Sequence, residues 1–386
     1  MKQLFTVICN DNSGFFTGGV SEELFFAPLY EHTYRKFMDA ANKLNMDVKF
    51  VRASTFEING AINEIAPNLD DIVIFASPCA FLAKSKDVEA ALSYVYDADL
   101  VYATIGSMRN LYAVIGTGKM IGEGDVSSPA DFIAHIGDCG AKCECWSFLD
   151  GETAIPSDRM EYYRRVARYR EEFLDYLVMS GVNIELRDGI IISPNSEIRK
   201  GVTVLPGTEI RPWCRIHENC IIGPNSVISN SEIGAECVVN STQIYDSVLE
   251  SNVKIGPFCH VRPNSHLLSG VKVGDFVEIK NSTIGNETHA SHLTYIGDSD
   301  VGARVNFGCG VVTVNYDGSS KHRCKIADDA FIGCNTNLIA PVTIGKGAFT
   351  AAGSTITDDV PAGALAIARE YQSNHEGWAI RRKRKQ

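Results

Sequence analysis

The sequence has no run of about 18 uncharged apolar residues, the minimum for a helix that crosses a bilayer, so no transmembrane helix is expected. The opening stretch "MKQLFTVICNDNSG" (1–14) has a short apolar run. It lacks the longer apolar core and small-residue cleavage site of a secretion signal. Positive charge is in deficit. With 36 Lys and Arg against 47 Asp and Glu, the net charge is -11, which argues against nucleic acid or an anionic membrane as the main partner. The exception is "RRKRK" (381–385), a basic run that reads as a solvated tail able to meet phosphates. The twelve cysteines are scattered along a long chain without a signal, which fits reduced thiols in a cytoplasm rather than a disulfide framework. One cluster, Cys139, Cys143 and Cys145 in "DCGAKCECW", lacks a fourth ligand at zinc or iron–sulfur spacing, so no metal site is expected there.

What is present falls into two textures, and 386 residues are more than one core ordinarily serves. Up to about residue 185, apolar runs alternate with helical patterns. "LFTVIC" (4–9), "VKFV" (48–51), "DIVIFA" (71–76) and "LVYATI" (100–105) read as buried strands. "LYEHTYRKFMDAANKL" (29–44) and "DVEAALSYV" (87–95) read as helices between them, which predicts an α/β layer on a mostly parallel sheet. "SDRMEYYRRVARYREEFLDYLVMSG" (157–181) reads as one connecting helix, capped by Ser157 or Asp158 and ended by Gly181. Its apolar stripe is Met160, Tyr163, Val166, Phe173, Leu174 and Leu177.

After residue 190 the period becomes six. Ile192, Ile198, Val204, Ile210, Ile216, Ile222 and Ile228 are aliphatic and six apart. The phase slips and returns at Ile255, Val261, Leu267, Val273 and Ile279, and again at Ile326, Ile332, Leu338, Ile344 and Ile356, with Thr350 the polar member. Neither a helical nor a strand period explains this. A hexapeptide repeat does: each short strand sends one aliphatic residue inward, and three strands per coil close a triangular β-helical prism. Function is expected where the register breaks, above all in "VNYDGSSKHRC" (314–324), which should project as a loop.

The irregular segments form an ordered set: "VRPNS" (261–265), "VGDFVEIKNSTIG" (273–285), "SHLTYIGDSDVG" (291–302), "VNFGCG" (305–310), "VNYDG" (314–318), "FIGCNTNLIAPVTIGKGAFTAAGSTITDDVP" (331–361), "ALAIAR" (364–369) and "EGW" (376–378). From about residue 185 to the end, the chain resembles the glucosamine-1-phosphate N-acetyltransferase domain of the bacterial bifunctional enzyme that makes UDP-N-acetylglucosamine. The resemblance implies a left-handed parallel β-helix, a homotrimer with sites between subunits, and acetyl-CoA as co-substrate, with no metal required.

Acetyl transfer to an amine needs a free lone pair, so the ammonium must lose a proton, and a neutral imidazole can take it. By the resemblance His292 is that base, with Asn315 and Glu278 as further catalytic candidates; Glu278 is a candidate to orient the base or hold the sugar amine. Arg262, Lys280, Tyr295 and Asn306, with Lys321 from the loop, fall on the sugar-phosphate positions, where a dianion calls for fixed cations and donors. Cys309, Asn315, Tyr316, Cys334, Ala352 and Arg369 fall on the acetyl-CoA positions. Cys309 and Cys334 stand where alanine or serine is expected in the family, and direct attack by the amine is expected rather than an acetyl-thiol intermediate.

The expected domains are a degenerate nucleotidyltransferase-like α/β domain (1–156), the connecting helix (157–184), the β-helix (185–369) and a basic tail (370–386). The family's nucleotidyltransferase domain carries a Gly-rich turn that grips a triphosphate. This chain has "VICNDNSGFFTGG" (7–19) there, and "IFASPCAFL" (74–82) and "PSDRMEY" (156–162) lack the family's metal-binding aspartate and asparagine. Uridylyl transfer is therefore expected to be lost. The alternatives are an acetyltransferase for another, nucleotide-linked amino sugar, a zinc carbonic anhydrase on a similar prism using His289 and His292, and a non-catalytic trimeric sensor.

Overall fold

The computed structural model describes residues 3–8, 23–24, 27–43, 47–52, 72–76, 88–90, 92–93, 102–107, 110–117, 143–146 and 159–383. The chain divides into two compact units, Met1–Met179 with Ser193–Asn195, and Ser180–Ile192 with Ser196–Gln386. No helix among the described residues is long and apolar enough to cross a membrane. The stretches 9–19, 77–82 and 156–158, on which loss of uridylyl transfer was argued, lie outside the described residues, as do Cys139 and the end of the basic tail.

The first unit holds a six-stranded sheet in the order Asp47–Arg52, Gln3–Ile8, Ile72–Ala76, Asn110–Thr117, Tyr102–Ser107, Cys143–Trp146. Three of its strand pairs are parallel and two antiparallel. The four expected strands all form, and the expected helices appear as Leu29–Lys43, as helical residues 88–90 and 92–93, and as Arg159–Met179. The stripe of the long helix needs correction. Met160 and Tyr163 are exposed, and Arg165 and Tyr169 are buried beside Val166, Leu174 and Leu177. Arg165 pairs with Glu161, and the Tyr169 hydroxyl lies 2.9 Å from Nδ1 of a buried His32. The Glu161 carboxylate on the guanidinium and the His32 ring on the hydroxyl let these two side chains go inside, which an apolar count overlooks.

The second unit is the triangular prism. Its first face runs from Ile191–Ile192 to Thr355–Ile356, its second from Glu197–Ile198 to Val342–Ile344, and its third from Thr203–Val204 to Leu365–Ala366. The faces hold ten, nine and ten strands, all paired parallel to the coil before and after. Of the eighteen residues in the six-residue register all are buried except Ile198, which is partly exposed.

The phase slips have a simple cause. Some sides of the triangle use five residues instead of six: Ile228 to Ile233, Val239 to Ile244 and Leu249, Ile279 to Ile284, Ile296 to Val301, every one of them buried. The saved residue comes out of the corner. There Asn230, Ser241, Asp246, Asn281 and Asp298 take positive φ of 43–48°, a conformation that short polar side chains tolerate best. Two inward positions are threonines, Thr313 and Thr350, whose hydroxyls accept from the backbone N–H groups of Gly297 and Gly333. Because each coil buries its core only against its neighbours, a cavity weakens the stack locally. Ile244→Ala is expected to cost about 2–5 kcal/mol, read as a lower urea midpoint, and Ile198→Ala much less.

Candidate active site

The corners carry the chemistry. At the corner joining the third face to the first, residues in equivalent positions of successive coils stack into a column. Asp275 pairs directly with His292. Cys309 stands one coil on, three residues after Asn306 as His292 is three after its partner His289. Cys334 and Ala352 follow, tied in by the Asn335 N–H to Cys309 carbonyl bond of 2.7 Å and the Gly353 N–H to Cys334 carbonyl bond of 2.8 Å. Arg369 closes the row, its Cδ 3.7 Å from where a Cβ on Gly353 would sit. Of the residues matched to the acetyl donor, four therefore share one edge.

The His292 ring is open to solvent, with its Nδ1 3.1 Å from Asp275 Oδ1. A carboxylate only accepts, so it holds the Nδ1–H tautomer and leaves Nε2 with its lone pair outward. The Asp275 carboxyl lies below the usual carboxylate range, held there first by its own backbone N–H and then by the His292 ring. Leu293, next in the chain, has φ 47°, strained for a branched side chain, and its N–H bonds the Asp275 carbonyl at 3.0 Å. The corner is thereby pinned with the ring over its acid. Glu278, the candidate to orient the base or hold the sugar amine, does not pair with the ring. It accepts from Arg262 at 2.9 Å on the first face, because its strand points it along that face rather than around the corner.

The far edge of the first face carries the cations. Arg262 and the loop residue Lys321 both act on Lys280, whose ammonium titrates below the ordinary lysine value, first because Lys321 competes as a donor beside it. Asp298 stands among them, 4% exposed, accepting from the side-chain amides of Asn281 and Asn315. Burial acts to raise its carboxyl, but the two amides and the charges of Lys280 and Lys321 outweigh that and leave it lowered. Asn315, 8% exposed, also donates to the Tyr295 hydroxyl at 3.4 Å. Since a carboxylate cannot donate, the Asn315 amide must turn its NH₂ to Asp298, and its Oδ1 is the end left to accept. Gly297 makes this arrangement possible: a Cβ there would fall 2.4 Å from the Tyr295 hydroxyl and 2.8 Å from Asn315 Nδ2.

The loop forms as expected. Asp317 accepts from the backbone N–H groups of Ser319 and Ser320, and Tyr316 bridges to Lys321 with its ring half-exposed. Asn306 does not join the Arg262 group. It faces outward from the third face, beside His289, on an open groove of about 610 Å³ lined also by Lys254, Lys272, Glu287 and Arg304. Asp275, Asp298 and Gly297 are the residues that sequence reasoning passed over. Among the described residues no three His, Cys, Asp or Glu side chains gather as a metal site.

The Cys309–Cys334 edge also carries free backbone donors. Neither the Cys309 nor the Cys334 backbone N–H donates to any acceptor among the described residues, although both adjoin well-paired coils. Two such N–H groups on one edge are the kind of donors that stabilise a thioester oxyanion.

The chain is similar to known proteins. Residues 223–309 match the family described as GlmU-like, C-terminal hexapeptide, and residues 195–230 and 323–358 match bacterial transferase hexapeptide repeats. The chain is 61% identical over 158 residues to the bifunctional protein GlmU of Caldicellulosiruptor saccharolyticus, covering 41% of this chain and 34% of that protein. It is 41% identical over 289 residues to the bifunctional protein GlmU of Exiguobacterium sp., covering 75% of this chain and 62% of that one. For the bifunctional protein GlmU of Brevibacillus brevis the identity is 40% over 256 residues, 66% of this chain and 56% of the other. The chain thus spans between about a third and three fifths of the relatives it matches.

Proposed function

We propose that this relative of the bifunctional GlmU proteins transfers an acetyl group from acetyl-CoA to the amine of glucosamine 1-phosphate, yielding N-acetylglucosamine 1-phosphate for UDP-N-acetylglucosamine synthesis. The observation that carries the reading is the pairing of a solvent-facing His292–Asp275 couple with three neighbouring cations across one face of the prism. Arg262, Lys280 and Lys321 hold the sugar phosphate. Nε2 of His292 takes the ammonium proton, and Asp275 steadies the imidazolium that results. Asn315 Oδ1 accepts from the amine and aims its lone pair. The thioester supplies an activated acetyl carbon, and the Cys309 and Cys334 N–H groups face the charge that develops on its oxygen. Coenzyme A leaves as the thiol, Arg369 facing its phosphates.

The site is completed in a homotrimer. Asn306, on the opposite side of the corner from Arg262, reaches a neighbour's sugar phosphate, so each site draws on two chains. The first unit no longer transfers uridylyl groups, and UTP with the acetylated product yields no UDP-sugar. The test is coenzyme A release with glucosamine 1-phosphate against other amino sugars, followed across pH. A lysine whose pKa is lowered carries its charge only below that lowered value, so phosphate affinity fades as pH rises through it. KM for the sugar phosphate is therefore expected to climb at a lower pH than an ordinary lysine would dictate. Lys321→Ala, by removing the first cause of the shift, should move that climb to higher pH. A KM indifferent to pH, or a preference for acceptors without a phosphate, would exclude this assignment of the cations.

A further inference from the structure

Nine cysteines lie among the described residues; leaving aside Cys143 and Cys145 of the strand Cys143–Trp146, the other seven divide sharply. Cys214, Cys220, Cys237, Cys259 and Cys324 are buried in the prism, with their thiols turned to backbone carbonyls. Only Cys309 and Cys334 reach the surface, Cys334 exposed and Cys309 partly so. They are also direct neighbours. The Gly308 N–H to Ile332 carbonyl bond of 2.7 Å and the Asn335 N–H to Cys309 carbonyl bond of 2.7 Å continue the ladder of the strands Asn306–Phe307 and Phe331–Ile332, and they set Cys309 opposite Cys334. Cα atoms facing each other across parallel strands stand about 4.8 Å apart, inside the range of roughly 4.4–6.8 Å that a disulfide spans. Cys334 Sγ has the backbone of a glycine beneath it: it lies 2.9 Å from where a Cβ on Gly308 would be, so no side chain there blocks its swing toward Cys309. The same two residues present the unpaired N–H groups of the donor edge, one and two coils above His292.

We propose that Cys309 and Cys334 form a redox-sensitive dithiol site that takes small disulfides as its oxidant, and that the Cys309–Cys334 disulfide closes the acetyl-donor edge. A thiolate of one cysteine attacks the small disulfide, whose S–S bond breaks and releases one small thiol. The second cysteine then attacks the mixed disulfide, its proton going to solvent, and the second small thiol leaves. The protein loses two hydrogens and gains one S–S bond. That bond draws the two sulfurs together over the N–H groups where a thioester oxygen would sit. The closing of the edge rests on the donor reading above; the dithiol chemistry does not.

The full-length protein, freshly reduced, is treated with glutathione disulfide, digested and mapped by mass spectrometry, while coenzyme A release is followed in parallel. A peptide linking Cys309 to Cys334 is expected, absent from both Cys309→Ser and Cys334→Ser. Acetyl-CoA present during oxidation should slow its formation. Release should fall at least tenfold on oxidation and return with a reductant, whereas each serine variant, compared with its own reduced rate, should change little. Absence of the link, or glutathione held on Cys334 alone without resolution, overturns the dithiol site. A link formed with release undiminished overturns the closure. Fully reduced protein that releases no coenzyme A counts against the acetyl-transfer reading instead, and the mapped link still decides the dithiol site.

Discussion

His292→Ala is expected to lower kcat for acetyl transfer by roughly 10²–10⁴-fold, the usual worth of a general base, with KM for both substrates nearly unchanged. The side chain stands on the surface, and the hydrogen bond it donates to Asp275 is between two exposed groups. Contacts between exposed groups add little to stability, so the thermal midpoint of the variant should match the wild type closely. A large loss of rate without loss of stability separates a proton-transfer role from a packing role. Asp275→Ala, which leaves the ring but frees it to turn, should fall between the two in rate. Equal rates for His292→Ala and wild type would mean that the amine loses its proton elsewhere.

The second large effect is expected at Asp298. Asn suits the left-handed corner as well as Asp does, so Asp298→Asn keeps the turn while changing what the buried atom can accept. Its new NH₂ cannot accept from both Asn281 and Asn315, and the Asn315 amide loses the partner that fixed which end points outward. A misaimed reacting group costs up to about 10²-fold. We expect a fall in kcat approaching that size. A purely structural role would not move the lysine: the Asp298 charge favours the Lys280 ammonium, so its removal should shift the alkaline climb of KM to lower pH, opposite to Lys321→Ala. The acid limb of stability should also change. A carboxyl whose folded pKa is depressed stabilises the fold above its unfolded value, near ~3.9, and that contribution fades as pH falls through the folded value. Asp298→Asn should lose that dependence, seen as a flatter urea midpoint on the acid side. Unchanged kcat and an unchanged KM profile together would reduce Asp298 to a corner residue.

These two acids mark what the sequence hides. The prism is legible because one inward aliphatic residue every six is a local pattern, kept by steric need in every coil. The five-residue sides were equally real but read as slips: a period search at six sees Ile233, Ile244 and Leu249 as out of phase, although each is as buried as its neighbours. Asp275 and Asp298 sit in "VGDF" and "GDSD", where an acid beside a glycine reads as turn chemistry. For Asp298 that reading is even correct, since its φ is 48°. Their partners, His292 for one and Asn281 and Asn315 for the other, lie one coil away, 17 residues along the chain, and no local pattern announces that contact. Glu278 fails to reach the base for the same reason: two residues from Lys280 in sequence, it belongs to the face rather than the corner. The polar burial in the helix Arg159–Met179 is hidden because Arg165 and Tyr169 are judged polar by type, while Glu161 and His32 partner them in place.

The most direct measurement is product identification with the intact protein, acetyl-CoA and glucosamine 1-phosphate. The account predicts that each coenzyme A thiol set free is matched by one molecule of N-acetylglucosamine 1-phosphate, and that added UTP yields no UDP-sugar. Coenzyme A set free without an acetylated sugar phosphate, or none set free at saturating concentrations of both compounds, would contradict it.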